Sequence, residues 1–275
     1  MEEQYLNVVK RILGTSKERE GRNGLVKSAF GACLECDLAN GFPLLTTKKM
    51  FWKGIVEELA WFLRGSTNVE ELRAKKVHIW DGNSETRGYD AGPVYGFQWR
   101  HFGAEYTDCH GDYSGQGQDQ IGIILELLKT QPTSRRMVLS GWNPAQQSDM
   151  CLPPCHILYQ FYVENDGRLS VQMYQRSSDI FLGLPFNIAS TALLLSLMAH
   201  QVGRAPGRVI IQIGDAHIYA EHYEACRKQL TREPGPLPSI EIDRPTDDNL
   251  WRFDKSQVSL CGYSSAGRLA APMKA

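Results

Sequence analysis

Neither sign of charge dominates this chain. Its formal net charge is −1 over 275 residues, so no global field draws it to nucleic acid or an anionic membrane, and any anion must be met by local arginines. Long hydrophobic runs are also missing: the longest, Ile188 to Met198, is broken by Ser190, Thr191 and Ser196 and falls short of a bilayer span. No glycine-rich phosphate loop of the Walker or dinucleotide type is present, so neither phosphate-cradling motif nor an NAD(P) fingerprint is available. The seven cysteines are odd in number and irregularly spaced, which disfavours a disulfide framework and leads to the expectation of a reduced, cytoplasmic protein. Cys33-Leu34-Glu35-Cys36 has no second pair at zinc-ribbon spacing, and His217 and His222 lack an obvious third ligand, so no metal is expected. Met1 to Tyr5 has no basic region followed by an apolar core, so no secretion signal is expected. With no internal repeat, low-complexity tract or linker, residues 1–275 read as a single domain.

The residues that are present are 42% hydrophobic and 22% charged, as in an ordinary globular protein. Tyr5, Val8, Val9, Ile12 and Leu13 share one helical face over residues 4–13. Residues 52–64 form a strongly apolar helix carrying Glu57 and Glu58, and residues 68–76 a short surface helix. Ile121, Ile124, Leu125 and Leu128 mark another amphipathic helix, and residues 188–202 are apolar all round, which implies a buried central helix. Strands are expected at 26–38, 137–142, 157–163, 169–174, 209–213 and 239–242, with Asn165-Asp166-Gly167 turning one hairpin. His217 to Leu230 reads as a helix, and residues 82–118, which lack periodicity, as a functional loop region. Strands and helices do not alternate regularly. The fold class is therefore α/β of the α+β type: a mixed β-sheet with packed helices around a buried central helix.

The chemistry concentrates at Leu152-Pro153-Pro154-Cys155-His156. A buried cysteine ordinarily behaves as a small hydrophobe. Here two prolines fix the backbone, and His156 with a cross-strand Arg176 can favour the thiolate. Gln175-Arg176-Ser177-Ser178-Asp179 follows across the expected hairpin. Arg22, Arg135, Arg136 and Arg176 sit in exposed-looking positions, as a solvated surface set or as guanidinium forks for a doubly charged phosphate, to which Ser177 adds a hydroxyl. Asn187 is either the N-cap of the buried helix or a reader of an amide edge, since a carboxamide donates and accepts at once. Glu58, beside Leu59, Trp61 and Phe62, is either at a helix edge or a carboxylate held in a pocket to move protons. His217 and Tyr219 can bind a sugar hydroxyl, and Phe51, Trp80 and Phe186 offer flat surface to an aromatic ligand.

Five blocks occur in order: residues 42–48 (FPLLTTK), 92–100 (GPVYGFQWR), 153–156 (PPCH), 183–190 (GLPFNIAS) and 214–219 (GDAHIY). Together they closely resemble the folate-dependent thymidylate synthase family over about Arg22 to Pro272, and residues 100–106 and 112–117 resemble its eukaryotic branch. The resemblance implies reductive methylation of dUMP to dTMP with 5,10-methylenetetrahydrofolate as one-carbon donor and reductant, through a covalent bond from Cys155 to C6 of uracil. It also implies that Arg22, Gln175, Arg176, Ser177 and Asp179 bind the nucleotide, with the phosphate held by Arg22, Arg176 and Ser177. Asn187 would read uracil, and His217 and Tyr219 would hold the deoxyribose. Glu58, His156 and Tyr95 would organise water and protons. Phe51, Ile79, Trp80, Asn83, Asp179, Leu182, Gly183, Phe186 and Met273 would line the folate site. Arg135 and Arg136 would complete the phosphate site of the other subunit of a homodimer.

The chain departs from the family pattern at Arg22-Asn23-Gly24-Leu25-Val26-Lys27, in a shortened Asn83 to Ala91 segment, at Ala91, and in the tail Pro272-Met273-Lys274-Ala275, which lacks the usual apolar penultimate residue. In the family that tail closes over folate and excludes water from the one-carbon intermediate. Its change keeps open a dUMP 5-hydroxymethylase, with a dCMP enzyme disfavoured by Asn187. A catalytically silent nucleotide-binding homologue is the third alternative, opposed by intact Cys155, Glu58, Asn187 and Tyr95.

Overall fold

The computed structural model describes residues 1–15 and 17–274. In chain order the helices and strands are α1 (Glu2–Thr15), β1 (Glu18–Gly21), β2 (Gly24–Asp37), α2 (Trp52–Leu63), α3 (Glu70–Ala74), α4 (Asp81–Ser84), α5 (Tyr95–His101), α6 (Gln120–Thr130), β3 (Val138–Ser140), β4 (His156–Val163), β5 (Leu169–Asp179), α7 (Gly183–Gln201), β6 (Pro206–Tyr219), α8 (Tyr223–Gln229), β7 (Ser239–Ile242) and β8 (Val258–Cys261). Six strands form one sheet in the order β1-β2-β6-β5-β4-β3, and β7 pairs with β8. Among the described residues only β5 and β6 run parallel within the large sheet. This is the mixed sheet expected from irregular alternation.

The core lies between α7 and the inner sheet face, where Tyr159, Phe161, Val171, Met173, Val209, Ile211 and Leu34 are buried. Strand alternation explains that set: every second side chain points to the same face. Helix α7 is buried on nearly all sides, as its lack of a polar face requires. By length and composition it could cross a membrane, but 78% of the relevant stretch is buried inside the protein. The outer sheet face instead carries Val138, Gln160, Tyr162, Gln172 and Tyr174, all exposed.

Several expectations are corrected. The stretch 82–118 is not all loop: it contains the end of α4 and all of α5. His217 and Tyr219 belong to the end of β6, paired with β2 through Ser28–His217 and Val26–Tyr219, so the following helix α8 begins only at Tyr223. Asn187 lies one turn inside α7, whose N-cap is Leu182, so the N-cap reading fails. Strands β1 and β8 were unexpected. The β1–β2 hairpin closes over Arg22-Asn23, with Gly21 opposite Gly24 and Gly24 at φ 114°, a backbone angle that favours glycine.

Candidate active site

Four parts of the fold converge at one end of the sheet. The parallel strands β5 and β6 end there at Asp179 and Tyr219, β4 begins there at His156, and the β1–β2 hairpin folds over them. Helix α7 starts at the same place, so its first turn delivers Gly183, Phe186 and Asn187. From the other side, α2 presents Glu58 and Phe62, four residues apart on one helical face. Between them lies a cavity of about 600 Å³, a normal size for a small-molecule site.

Cys155 sits just before β4, opposite Arg176. The Arg176 backbone N–H donates to Cys155 O at 2.9 Å, and its guanidinium donates to Pro154 O at 2.8 Å and Pro153 O at 2.9 Å. Arg176 therefore fixes the proline loop as well as bringing positive charge to the thiol. Tyr95 buttresses the other side, its hydroxyl accepting the Cys155 N–H at 2.7 Å. Burial pushes the thiol above its ordinary pKa, against the pull of Arg176, the Tyr95 hydrogen bond and Arg22. A thiolate at Cys155 would have to be stabilised by these partners against burial.

His156 makes a different contribution from the one expected. Complete burial lowers its pKa to about 3, so it is neutral and brings no cation to the thiol. Its ring stacks on Tyr95 at 4.1 Å, and its Nδ1 is paired with the Tyr159 hydroxyl at 2.9 Å. It fixes Tyr95 mechanically. Glu58 shows the complementary behaviour: burial raises its carboxyl to about 7, against one hydrogen bond donated by Trp80 Nε1 at 2.7 Å. A carboxyl poised there can both take and give a proton near neutral pH.

Gln175 donates to Asn187 Oδ1 at 3.0 Å and to Ser177 O at 3.1 Å. That fixes the Asn187 amide and leaves its N–H groups for a ligand carbonyl. The buried Gln175 Oε1 has no partner among the described residues, a polar vacancy that a ligand N–H would satisfy. Asp179 Oδ1 accepts from the N–H groups of Phe181 at 2.9 Å and Leu182 at 3.2 Å, which frees Oδ2 for a ligand donor. Ile79, Trp80, Leu182 and Phe186 give the same region a flat apolar wall. This combination of apolar wall and free carboxylate oxygen suits a folate.

Nearly all the residues expected at the site line this cavity: Arg22, Glu58, Ile79, Trp80, Asn83, Tyr95, Cys155, His156, Gln175, Arg176, Ser177, Asp179, Leu182, Gly183, Phe186, Asn187, His217, Tyr219 and Met273. Phe51 does not; it lies half-exposed against Gly54 at the start of α2. Arg135 and Arg136 are exposed just before β3, outside the cavity lining. Among the lining residues that were missed are Arg19 and Asp215, which form an ion pair between β1 and β6. Recognising β1 as a strand would have given the signal, since it brings Arg19 beside the sheet carrying Asp215. Lys274 also lines the mouth, whereas Ala275 lies outside the described residues.

No cluster of histidine, cysteine, aspartate and glutamate able to hold a metal occurs among the described residues. The family model described as "Thymidylate synthase" matches residues 3–275. The chain is 49% identical to a protein named thymidylate synthase from varicella-zoster virus (strain Dumas), with 95% of this chain and 90% of the relative aligned. It is 46% identical to a bifunctional dihydrofolate reductase-thymidylate synthase from Zea mays and 49% identical to one from Glycine max, covering 99% and 94% of this chain. It spans about half the length of these bifunctional relatives, 54% and 51%. With a match over nearly its whole length, the chain belongs to the thymidylate synthase family.

Proposed function

We propose that this chain is a thymidylate synthase, a methyltransferase that converts dUMP to dTMP and releases dihydrofolate. The observation that carries the reading is the placement of Cys155 and a Glu58 carboxyl of pKa about 7 in one cavity. Arg22, Arg176 and Ser177 supply donors for the 5′-phosphate and His217 and Tyr219 for the deoxyribose hydroxyl, while at the uracil edge the Asn187 amide donates and Gln175 Oε1 accepts. The Cys155 thiolate adds to C6 of uracil, which makes C5 nucleophilic. Bound 5,10-methylenetetrahydrofolate supplies the carbon that C5 captures and the hydride that reduces it. C5 gives up its proton, Glu58 exchanges protons with the base through the cavity, the Cys155 sulfur leaves C6 as the product forms, and the Tyr95 hydroxyl, held neutral by burial, orders the nucleophile. No step calls for a metal or a nicotinamide.

The same reading extends to a homodimer of single catalytic domains in the cytoplasm. Seven free cysteines support a reducing setting. The uncovered outer sheet face, with Arg135 and Arg136 just before its edge strand β3, supports a second copy whose arginines reach this cavity's phosphate end. To test the activity, the protein is incubated with dUMP and 5,10-methylenetetrahydrofolate and both products are identified. Thymidylate with dihydrofolate is expected, and Cys155→Ala abolishes both turnover and the covalent nucleotide adduct. A 5-hydroxymethyl nucleotide with tetrahydrofolate assigns the hydroxymethylase instead, and no turnover the silent homologue.

A further inference from the structure

The tail residue that departs from the family pattern has a partner. Lys274 Nζ lies 2.5 Å from Glu221 Oε2, and Lys274 and Met273 both line the cavity. Glu221 belongs to the single turn Ala220–His222 that follows β6, directly after Tyr219 of the cavity wall. The next residue supplies a second attachment: His222 Nε2 pairs with the Pro272 carbonyl at 2.8 Å, while His222 Nδ1 faces Asp179 Oδ1 at 3.6 Å. Burial lowers the His222 pKa, but the nearby Asp179 carboxylate and the Pro272 carbonyl outweigh it, for a net rise that favours the protonated ring. Two successive residues of one short turn, Glu221 and His222, thus grip the tail at Lys274 and Pro272 and connect it to a carboxylate inside the cavity.

We propose that Glu221 and Lys274 are positioning residues, an electrostatic latch that holds the tail across the cavity mouth and sets how well water is excluded during the reaction. The consequence for product rests on the synthase reading above. When the mouth is open, water oxygen bonds to the exocyclic carbon on C5, water loses a proton, and Cys155 leaves C6, giving the hydroxymethyl nucleotide in place of thymidylate. An apolar residue at 274 would seal by contact alone; Lys274 instead seals by ion pairing. The two side chains are 25% and 53% exposed, so the latch is weak and salt-sensitive.

Hydrogen exchange at the tail amides of Ala270, Ala271, Met273 and Lys274 tests the latch independently of turnover. Glu221→Gln and Lys274→Gln are each expected to speed tail exchange roughly two- to fivefold in low salt, and the charge-swapped pair Glu221→Lys with Lys274→Glu to restore protection. Raising salt should speed exchange in the wild-type protein and leave the single variants unchanged. In turnover, each single variant should raise the KM for methylenetetrahydrofolate and the hydroxymethyl fraction, with the KM for dUMP unmoved. Equal exchange in wild type and variants, or no rescue by the swap, overturns the latch. Wild type that makes no thymidylate overturns the synthase reading, while the exchange experiment still decides the latch.

Discussion

Glu58 answers to two opposed demands. The proton-carrying role proposed for it draws on burial beside Phe62, Trp80 and Tyr95, which raises its carboxyl from 4.5 to about 7. For stability the same shift is a cost. Between pH 4.5 and 7 the folded chain keeps a proton that the unfolded chain has released, so Glu58's contribution falls as pH rises through that window and the full penalty stands above it. The shift corresponds to about 3 kcal/mol. Glu58→Gln, which retains an acceptor for Trp80 Nε1, should therefore stabilise the protein by about 2–3 kcal/mol at pH 8 and by little at pH 4.5. Turnover of the same variant should fall on the order of 10²-fold or more. Urea melts at the two pH values, beside steady-state rates, check both halves; equal melting gains at pH 4.5 and 8 would reject the raised carboxyl.

At the scale of elements, the site depends on how closely α5 approaches α2. A Cβ on Gly96 would lie 2.7 Å from Phe62 O and 2.8 Å from its Cα, so only glycine permits the contact that brings Tyr95 to Cys155. Gly96→Ala gains helix propensity yet should lose about 2 kcal/mol through overpacking, with activity falling further as Tyr95 shifts. Denaturant midpoints and kcat measure the two effects. The same helix shows why parts of the fold were illegible in the sequence. Tyr95, Gly96, Phe97, Gln98 and Trp99 are all buried, so α5 has no polar face and no period to read. Helix α7 was legible for its length, because a long stretch apolar all round has few alternatives to a buried central helix. His217 and Tyr219 were misread because Gly214-Asp215-Ala216 resembles a turn, whereas pairing on both sides with β2 and β5 holds it as strand. Much of the site was legible where short-range geometry sets it. Cys155 and Arg176 meet because one tight hairpin fixes their register. Arg19 and Asp215 were not, since 196 residues separate them and only the sheet order brings β1, through β2, to β6. The charge of His156 could not be read either, because neutrality follows from complete burial, which no neighbour in sequence reveals.

Across the whole molecule, the sheet is covered on one face only. Register aligns Val138, Gln160, Gln172, Ile210 and Glu35 in one row across five strands, with Leu158, Tyr174, Gln212 and Cys33 in the next. Apart from Glu35 at the far end, which pairs with Arg208, these rows carry apolar and uncharged polar groups, which suit a self-complementary contact better than open solvent, and a twofold pairing uses the same patch on both copies. The homodimer reading makes a quantitative demand on the arginines. If Arg135 and Arg136 act in the other subunit's cavity, a Cys155→Ala chain and an Arg135→Ala/Arg136→Ala chain are each nearly inactive as homodimers. A mixed dimer contains one site with the intact cysteine of one chain and the intact arginines of the other. Random reassociation of equal amounts makes half the dimers mixed, each with one good site, so activity should return to roughly a quarter of wild type. Mixing after mild denaturation and refolding, with dimer content followed by sedimentation, gives the answer. Recovery to that level places the arginines across the interface, and no recovery from well-formed mixed dimers places their action within their own chain.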